Sequence, residues 1–73
     1  MSARAYNYGA HMIQITVHVM RGRPVNTQWL RGRFGVSKAT AQRYMHAIEA
    51  ELPVRAERSA NGAVTLLLMP EEG

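Results

Sequence analysis

A chain of 73 residues is one small domain with a thin core, because a domain of this size buries only about 60% of the surface it exposes when unfolded. It has no cysteine, which excludes a disulfide framework or a thiolate metal site, and its longest apolar run, Ala63 to Met69, is far short of the ~20 residues of a membrane span. The net charge of +4 divides unevenly: residues 1–48 carry Arg4, Arg21, Arg23, Arg31, Arg33, Lys38 and Arg43 with no acid, whereas Glu49, Glu51, Glu57, Glu71 and Glu72 all come later, beside only Arg55 and Arg58.

Residues 1–9 show no apolar period, and Asn7 and Gly9 are poor helix formers, so a flexible tail is expected there. Gly9-Ala10-His11-Met12 also resembles the scar of a cleaved tag before a start Met, which would make residues up to 11 non-native. The folded domain is expected over 10–70, with a short tail at 71–73. Residues 11–20 fit two templates. Ile13, Ile15, Val17 and Val19 alternate as in a strand, while Ile13, Val17 and Met20 fall on one helix face. The β-branched content favours the strand.

Gly22 and Pro24 end that element, Gly22 as a C′ residue. A helix then starts at Val25-Asn26-Thr27, with Asn26 or Thr27 as its cap and Trp29, Leu30 and Phe34 as its apolar stripe. Gly35 stops it in a left-handed conformation. After the turn Gly35-Val36-Ser37 a second helix begins, capped by Ser37. Its stripe is Ala41, Met45, Ile48 and Leu52. At 100° per residue the opposite side presents Ala39, Arg43, His46 and Ala50, flanked by Gln42. Pro53 closes the helix.

A hairpin follows. Val54 to Ser59 and Ala63 to Met69 flank Ala60-Asn61-Gly62. A two-residue turn would place Val54 and Ala56 opposite the parity of Leu66 and Leu68. A three-residue loop with Gly62 at the bulge position pairs Ala56 with Leu66 and Val54 with Leu68, gathering one apolar face, so that register is expected.

The order of element, helix, tight turn, helix and hairpin is the winged helix-turn-helix plan, an α+β fold of three helices with a C-terminal β-hairpin wing. Residues 23–53, and above all Phe34-Gly35-Val36-Ser37, Thr40, Gln42-Arg43 and Ala47-Ile48-Glu49, resemble the DNA-binding module of DeoR-type bacterial repressors and their WYL-domain relatives. With the hairpin, the resemblance covers about 45 of the 73 residues. It implies that residues 11–20 form the first helix of the bundle, against the strand template. Three departures stand out. Tyr44 occupies a position where those regulators usually carry Asp, Ala39 stands where a second basic residue often precedes the Thr, and no effector domain follows Gly73. Sensing of a small-molecule effector is therefore not expected.

A one-sign field over residues 1–48 attracts a polyanion. By the resemblance, residues at the start of the second helix of the motif meet base edges in the major groove. Arg43 suits a guanine and Gln42 an adenine, the Ala39 methyl suits a thymine methyl, and His46 shares their face. Ser37, Lys38 and Thr40 at the helix start suit a phosphate. Arg21, Arg23, Arg31 and Arg33 are candidate phosphate clamps, and Arg58 and Asn61 at the hairpin tip are candidates for the minor groove. Trp29 and Phe34 read as core, and Tyr44 either packs on the first helix or offers its hydroxyl to a phosphate. His11, His18 and His46 lack metal-ligand spacing, and no phosphate loop, paired carboxylates or activated nucleophile is present, so neither an enzyme nor a cofactor is expected.

The expectation is thus a cytoplasmic, sequence-specific regulator binding double-stranded DNA, of bacterial or bacteriophage type, acting as a homodimer through the C-terminal strand (Leu67, Met69) or residues 11–20. The alternative is a winged helix used for protein–protein contact, as in an assembly or DNA-packaging adaptor.

Overall fold

The computed structural model describes residues 7–70. Three helices, α1 (Tyr8–Met20), α2 (Thr27–Phe34) and α3 (Lys38–Glu51), precede an antiparallel hairpin of β1 (Val54–Arg58) and β2 (Val64–Leu68). This is the three-helix winged layout that the element order implies.

The N-terminal segment departs from expectation in two ways. The expected tail over 1–9 is overturned at its end: Asn7 takes the N-cap position and Tyr8 and Gly9 form the first turn of α1. Residues 1–6 and 71–73, the remainder of the expected tails, lie outside the described residues, as does Arg4. Over 11–20 the helix that the resemblance implied is the element observed, and the strand template is not. Ile15 and Val19, four residues apart, are fully buried under one side of a helix, and Met12 packs beside them. The helix face expected from Ile13, Val17 and Met20 is the outer one, with exposures of 68%, 44% and 54%. Burial of two side chains at about 1.5–3 kcal/mol each outweighs the strand preference of single residues.

The caps follow the sequence closely. At the end of α1 the Gly22 N–H donates to the Val19 carbonyl and Arg23 N–H to that of His18, the Schellman pattern. The Asn26 side chain accepts from Trp29 N–H at 2.7 Å, and the Ser37 hydroxyl accepts from Thr40 N–H at 3.1 Å. Gly35, at φ 67°, closes α2 in the left-handed region where a side chain is strained, and so permits the tight turn into α3.

The core is Ile15, Val19, Val25, Leu30, Ala41, Tyr44, Met45, Ile48, Val54 and Leu66, and no buried residue outside that apolar set is polar or charged among the described residues. Trp29, Phe34 and Leu52 pack against it, as expected of core residues. Tyr44 is wholly buried. Its hydroxyl lies 2.8 Å from His11 Nδ1, and its ring meets Tyr8 and Phe34 edge-on. Of the two roles open to it in sequence, packing on the first helix is the one observed.

The hairpin has the expected register, with Val54 opposite Leu68 and Ala56 opposite Leu66. Ser59 N–H donates to Ala63 C=O across the three-residue loop, and Gly62 has φ 89°. Ala56 is nevertheless exposed. β1 is buried only at Val54, next to the end of α3, and runs off the body at about 3.3 Å per residue, so its inward face has nothing beneath it further on. A third pairing was not legible in the sequence: Val25 exchanges both backbone bonds with Leu66, at 3.0 and 2.8 Å. This ties the segment before α2 to the outer edge of β2 and fixes the wing relative to the helix-turn-helix pair.

Candidate nucleic-acid interface

The outer face of α3 is built by subtraction. Ala41, Tyr44, Met45 and Ile48 are buried, so the side chains about 140–200° away around the helix must point outward. Ala39, Gln42, Arg43, His46 and Ala50 are all exposed, as the wheel predicts. Ser37 and Lys38 are exposed at the helix start, and Thr40 is half-buried. The Ser37 hydroxyl is engaged as the cap and also lies 3.2 Å from the Thr40 hydroxyl. Both side chains therefore hold the helix entry as well as bordering it.

Charge runs along α3 in the direction opposite to the one a helix prefers. The peptide dipoles leave a partial positive charge at the N-terminus and a negative one at the C-terminus. Yet Lys38 opens the helix, no acid lies in its first turn, no base lies in its last, and Glu49 and Glu51 close it. This arrangement costs stability and leaves the amide end of α3, capped by the neutral Ser37 hydroxyl, without an acidic side chain of its own to compete with an external anion. Lys38→Glu is therefore expected to stabilise the isolated protein by about 0.3–1 kcal/mol and to raise its melting temperature by a few degrees. The same change should weaken any bound polyanion at least tenfold. Thermal unfolding and a duplex-binding titration of one preparation check both signs, and a loss of stability would remove the dipole argument.

The arginines that the sequence grouped as phosphate clamps fall into two sets. Arg31 lines a groove with Thr27, Gln28, Gly35, Val36 and Lys38, at the helix-turn-helix corner and beside the start of α3. Arg33 lies two residues on, about 200° around α2. It donates to Gln14 Oε1 at 2.7 Å and its guanidinium lies 5.5 Å from the Phe34 ring centre. With Arg21 and Arg23 it borders a different groove, between α1 and α2. The structure thus brings Arg31 and Lys38 together on one groove and sets Arg21, Arg23 and Arg33 on another.

At the hairpin tip, Arg58 is exposed and its guanidinium reaches the Gly62 carbonyl at 3.5 Å. The Asn61 side-chain oxygen accepts from Ala63 N–H at 3.1 Å and contacts the Ser59 hydroxyl. Its oxygen is spent in shaping the turn, so only its amide N–H groups remain for an outside acceptor. Arg55 and Glu57 form an exposed ion pair at 3.0 Å on the other strand face, worth little in water.

Two ring stacks escaped the sequence reading. His11 stacks on Phe34 with centres 4.2 Å apart, and His18 on Trp29 at 4.1 Å. Nε2 of His18 donates to the Pro24 carbonyl at 3.0 Å. His11 and His18 are seven residues or two turns apart, which places both on one side of the helix expected over 11–20 and was the available signal. No cluster of three or more potential metal ligands occurs among the described residues, and no helix there is long and apolar enough to cross a membrane. Comparison of the chain with family models, curated proteins and solved structures gives no significant match.

Proposed function

We propose that this chain binds double-stranded DNA sequence-specifically as a transcriptional regulator, of bacterial or bacteriophage type, akin to the DeoR-type and WYL-associated repressors its helix-turn-helix segment resembles. The observation that carries the reading is the outer face of α3: Ala39, Gln42, Arg43 and His46 are exposed together, with Lys38 and Arg31 beside the helix start and no acid before Glu49. In this reading α3 enters the major groove. Arg43 forks onto guanine, Gln42 meets adenine, and Ala39 and His46 border them. Arg31, Lys38 and the Ser37–Thr40 entry hold the phosphates, and Arg58, with Asn61 beside it, tracks the backbone or minor groove from the wing. In this reading the protein acts in the cytoplasm.

A homodimer supplies the affinity that one small module lacks, since a second linked half-site acts at high effective concentration. Its best interface is the C-terminal strand, where Leu67 is half-buried and Met69 is 46% exposed. The outer face of α1 is the poorer choice, because a two-fold axis there would gather Arg21, Arg23 and Arg33 of both copies. Sedimentation equilibrium of Met69→Lys should show a shift to monomer.

Selection of duplexes from a random library tests the reading directly. Arg43→Ala is expected to cost about 1–3 kcal/mol on the selected site and to relax preference at one base pair, whereas Arg31→Ala weakens all sequences alike. A motif unchanged by Arg43→Ala, or altered by Arg31→Ala, would sink the placement of α3.

A further inference from the structure

We propose that the groove between α1 and α2 is a docking site for an acidic amphipathic helix of a partner protein. This goes beyond DNA binding and uses residues that the proposed DNA face leaves aside.

The first observation is the second apolar side of α1. Ile15 and Val19 bind the helix to the core, yet Ile13, Val17 and Met20 also line up, at spacings of four and three, on the outer face. Single exposed apolar residues are ordinary, but an aligned stripe on one helix marks a contact surface. The second observation is shape. A groove of about 300 Å3 runs beside the stripe, lined by Ile13 and Val17 and by the stacked His18–Trp29 pair. An apolar stripe beside a groove of this kind receives the ridge of a helix, whose anchors recur at i, i+3 or i+4, and i+7.

Charge selects the occupant. Arg21, Arg23 and Arg33 border the groove, and α1 and α2 carry no carboxylate. Arg33 bonds only the neutral Gln14 side chain, and no hydrogen bond or ion pair engages the side chains of Arg21 or Arg23 among the described residues. Three cations around an apolar centre match Glu or Asp flanking Leu or Phe. A second copy of this chain would oppose like charges here. DNA would leave the stripe against phosphates with no burial gained, and a flat anionic bilayer would not fill the groove. Arg33 stands about 200° around α2 from Arg31, so a partner held here leaves the α3 side open. A protein on DNA could in this way recruit another.

The full chain can be titrated by fluorescence anisotropy with a labelled, lactam-stapled peptide of about 15 residues, long enough for four helical turns, bearing Leu at i, i+4 and i+7 with flanking Glu. The controls are a scrambled peptide of equal composition and a version with Lys for Glu. The Leu–Glu helix should bind at least tenfold tighter than the scramble, and the Lys version should not bind. Amide shifts in 15N spectra should centre on Ile13, Val17, Arg23 and Arg33. Val17→Asp and Arg23→Glu should each weaken the peptide at least tenfold, and Val17→Asp should leave duplex affinity unchanged. Should Val17→Asp lose its helical circular dichroism, Ile13→Asp, at the most exposed position of the stripe, takes its place. Equal binding of the scramble, or shifts centred on α3, overturns the proposal. Loss of duplex affinity in Val17→Asp would assign the groove to DNA instead. Tighter, Val17-dependent binding to phosphatidylglycerol vesicles than to the peptide would assign it to a membrane surface.

Discussion

Leu66→Ala is expected to lower the stability of the folded chain by about 2–5 kcal/mol, the range for removing a buried leucine side chain. The loss is large against the total, since a domain of this length is stable by only about 4–11 kcal/mol at 0.05–0.15 kcal/mol per residue. Leu66 is 1% exposed and occupies the middle of the sheet, with Ala56 across from it on one side and both backbone bonds to Val25 on the other. The cavity therefore opens where the wing, the segment before α2 and the core meet. Leu67 points the other way and is half-buried, and Leu68 is only partly covered. Urea denaturation should rank Leu66→Ala well below Leu68→Ala, with Leu67→Ala the mildest, at nearly constant m. If Leu67→Ala proved as damaging as Leu66→Ala, with a midpoint that depends on protein concentration, a second copy would be covering the outer face of the wing. Equal damage without concentration dependence would contradict the observed packing of the hairpin.

That register was legible because burial leaves a parity. Val54, Leu66 and Leu68 cannot share a face unless the loop has three residues, and Gly62 stands at the one loop position that requires a positive φ. The helix-turn-helix was legible for the same kind of reason. Asn26, Gly35 and Ser37 are local signals with fixed offsets, and the buried stripe of α3 fixes its outer face by rotation alone.

Residues 8–20 resist such reading, since their apolar residues satisfy both periods. Alternation of Ile13, Ile15, Val17 and Val19 is a true feature of the sequence, but half of it faces solvent, and no local rule says which half. Only the resemblance to a known family decided between the two in favour of a helix, and it did not say which side was buried. Tyr44 lies at the border of the α3 stripe, where rotation does not decide burial. Its place depends on Tyr8, His11 and Phe34, contributed by two other helices. The Val25–Leu66 pairing is a single long-range exchange of bonds and leaves no period at all. The division of the arginines follows from the same limit. Arg31 and Arg33 are near neighbours in sequence and carry the same charge, yet the helix turns them to opposite sides, and only the position of α1 shows that Arg33 belongs with Arg21 and Arg23.

The division of the arginines sets the size of the salt effect on DNA binding. Each phosphate neutralised releases counterions, and log K falls with log salt at a slope near −0.9 per contact. If Arg31, Lys38 and Arg58 are the cations on phosphate, the monomer slope is about −3, and affinity drops by a factor of about 40 between 50 and 200 mM salt. A dimer on two half-sites doubles the slope and squares the factor. If Arg21, Arg23 and Arg33 also clamped phosphate, six cations would act and the monomer slope would steepen to about −5. The triple change of Arg21, Arg23 and Arg33 to Ala separates the two cases, because each lost contact lowers the slope by about one. With those three residues on the α1 groove, the triple variant should keep the wild-type slope on a fixed duplex, while Arg31→Ala and Lys38→Ala each reduce it. A slope that flattens by about three in the triple variant would place the α1 groove on the DNA. A slope near zero in the wild-type protein would remove DNA as the main partner, because Arg31 and Lys38 could not then be neutralising phosphates beside the start of α3.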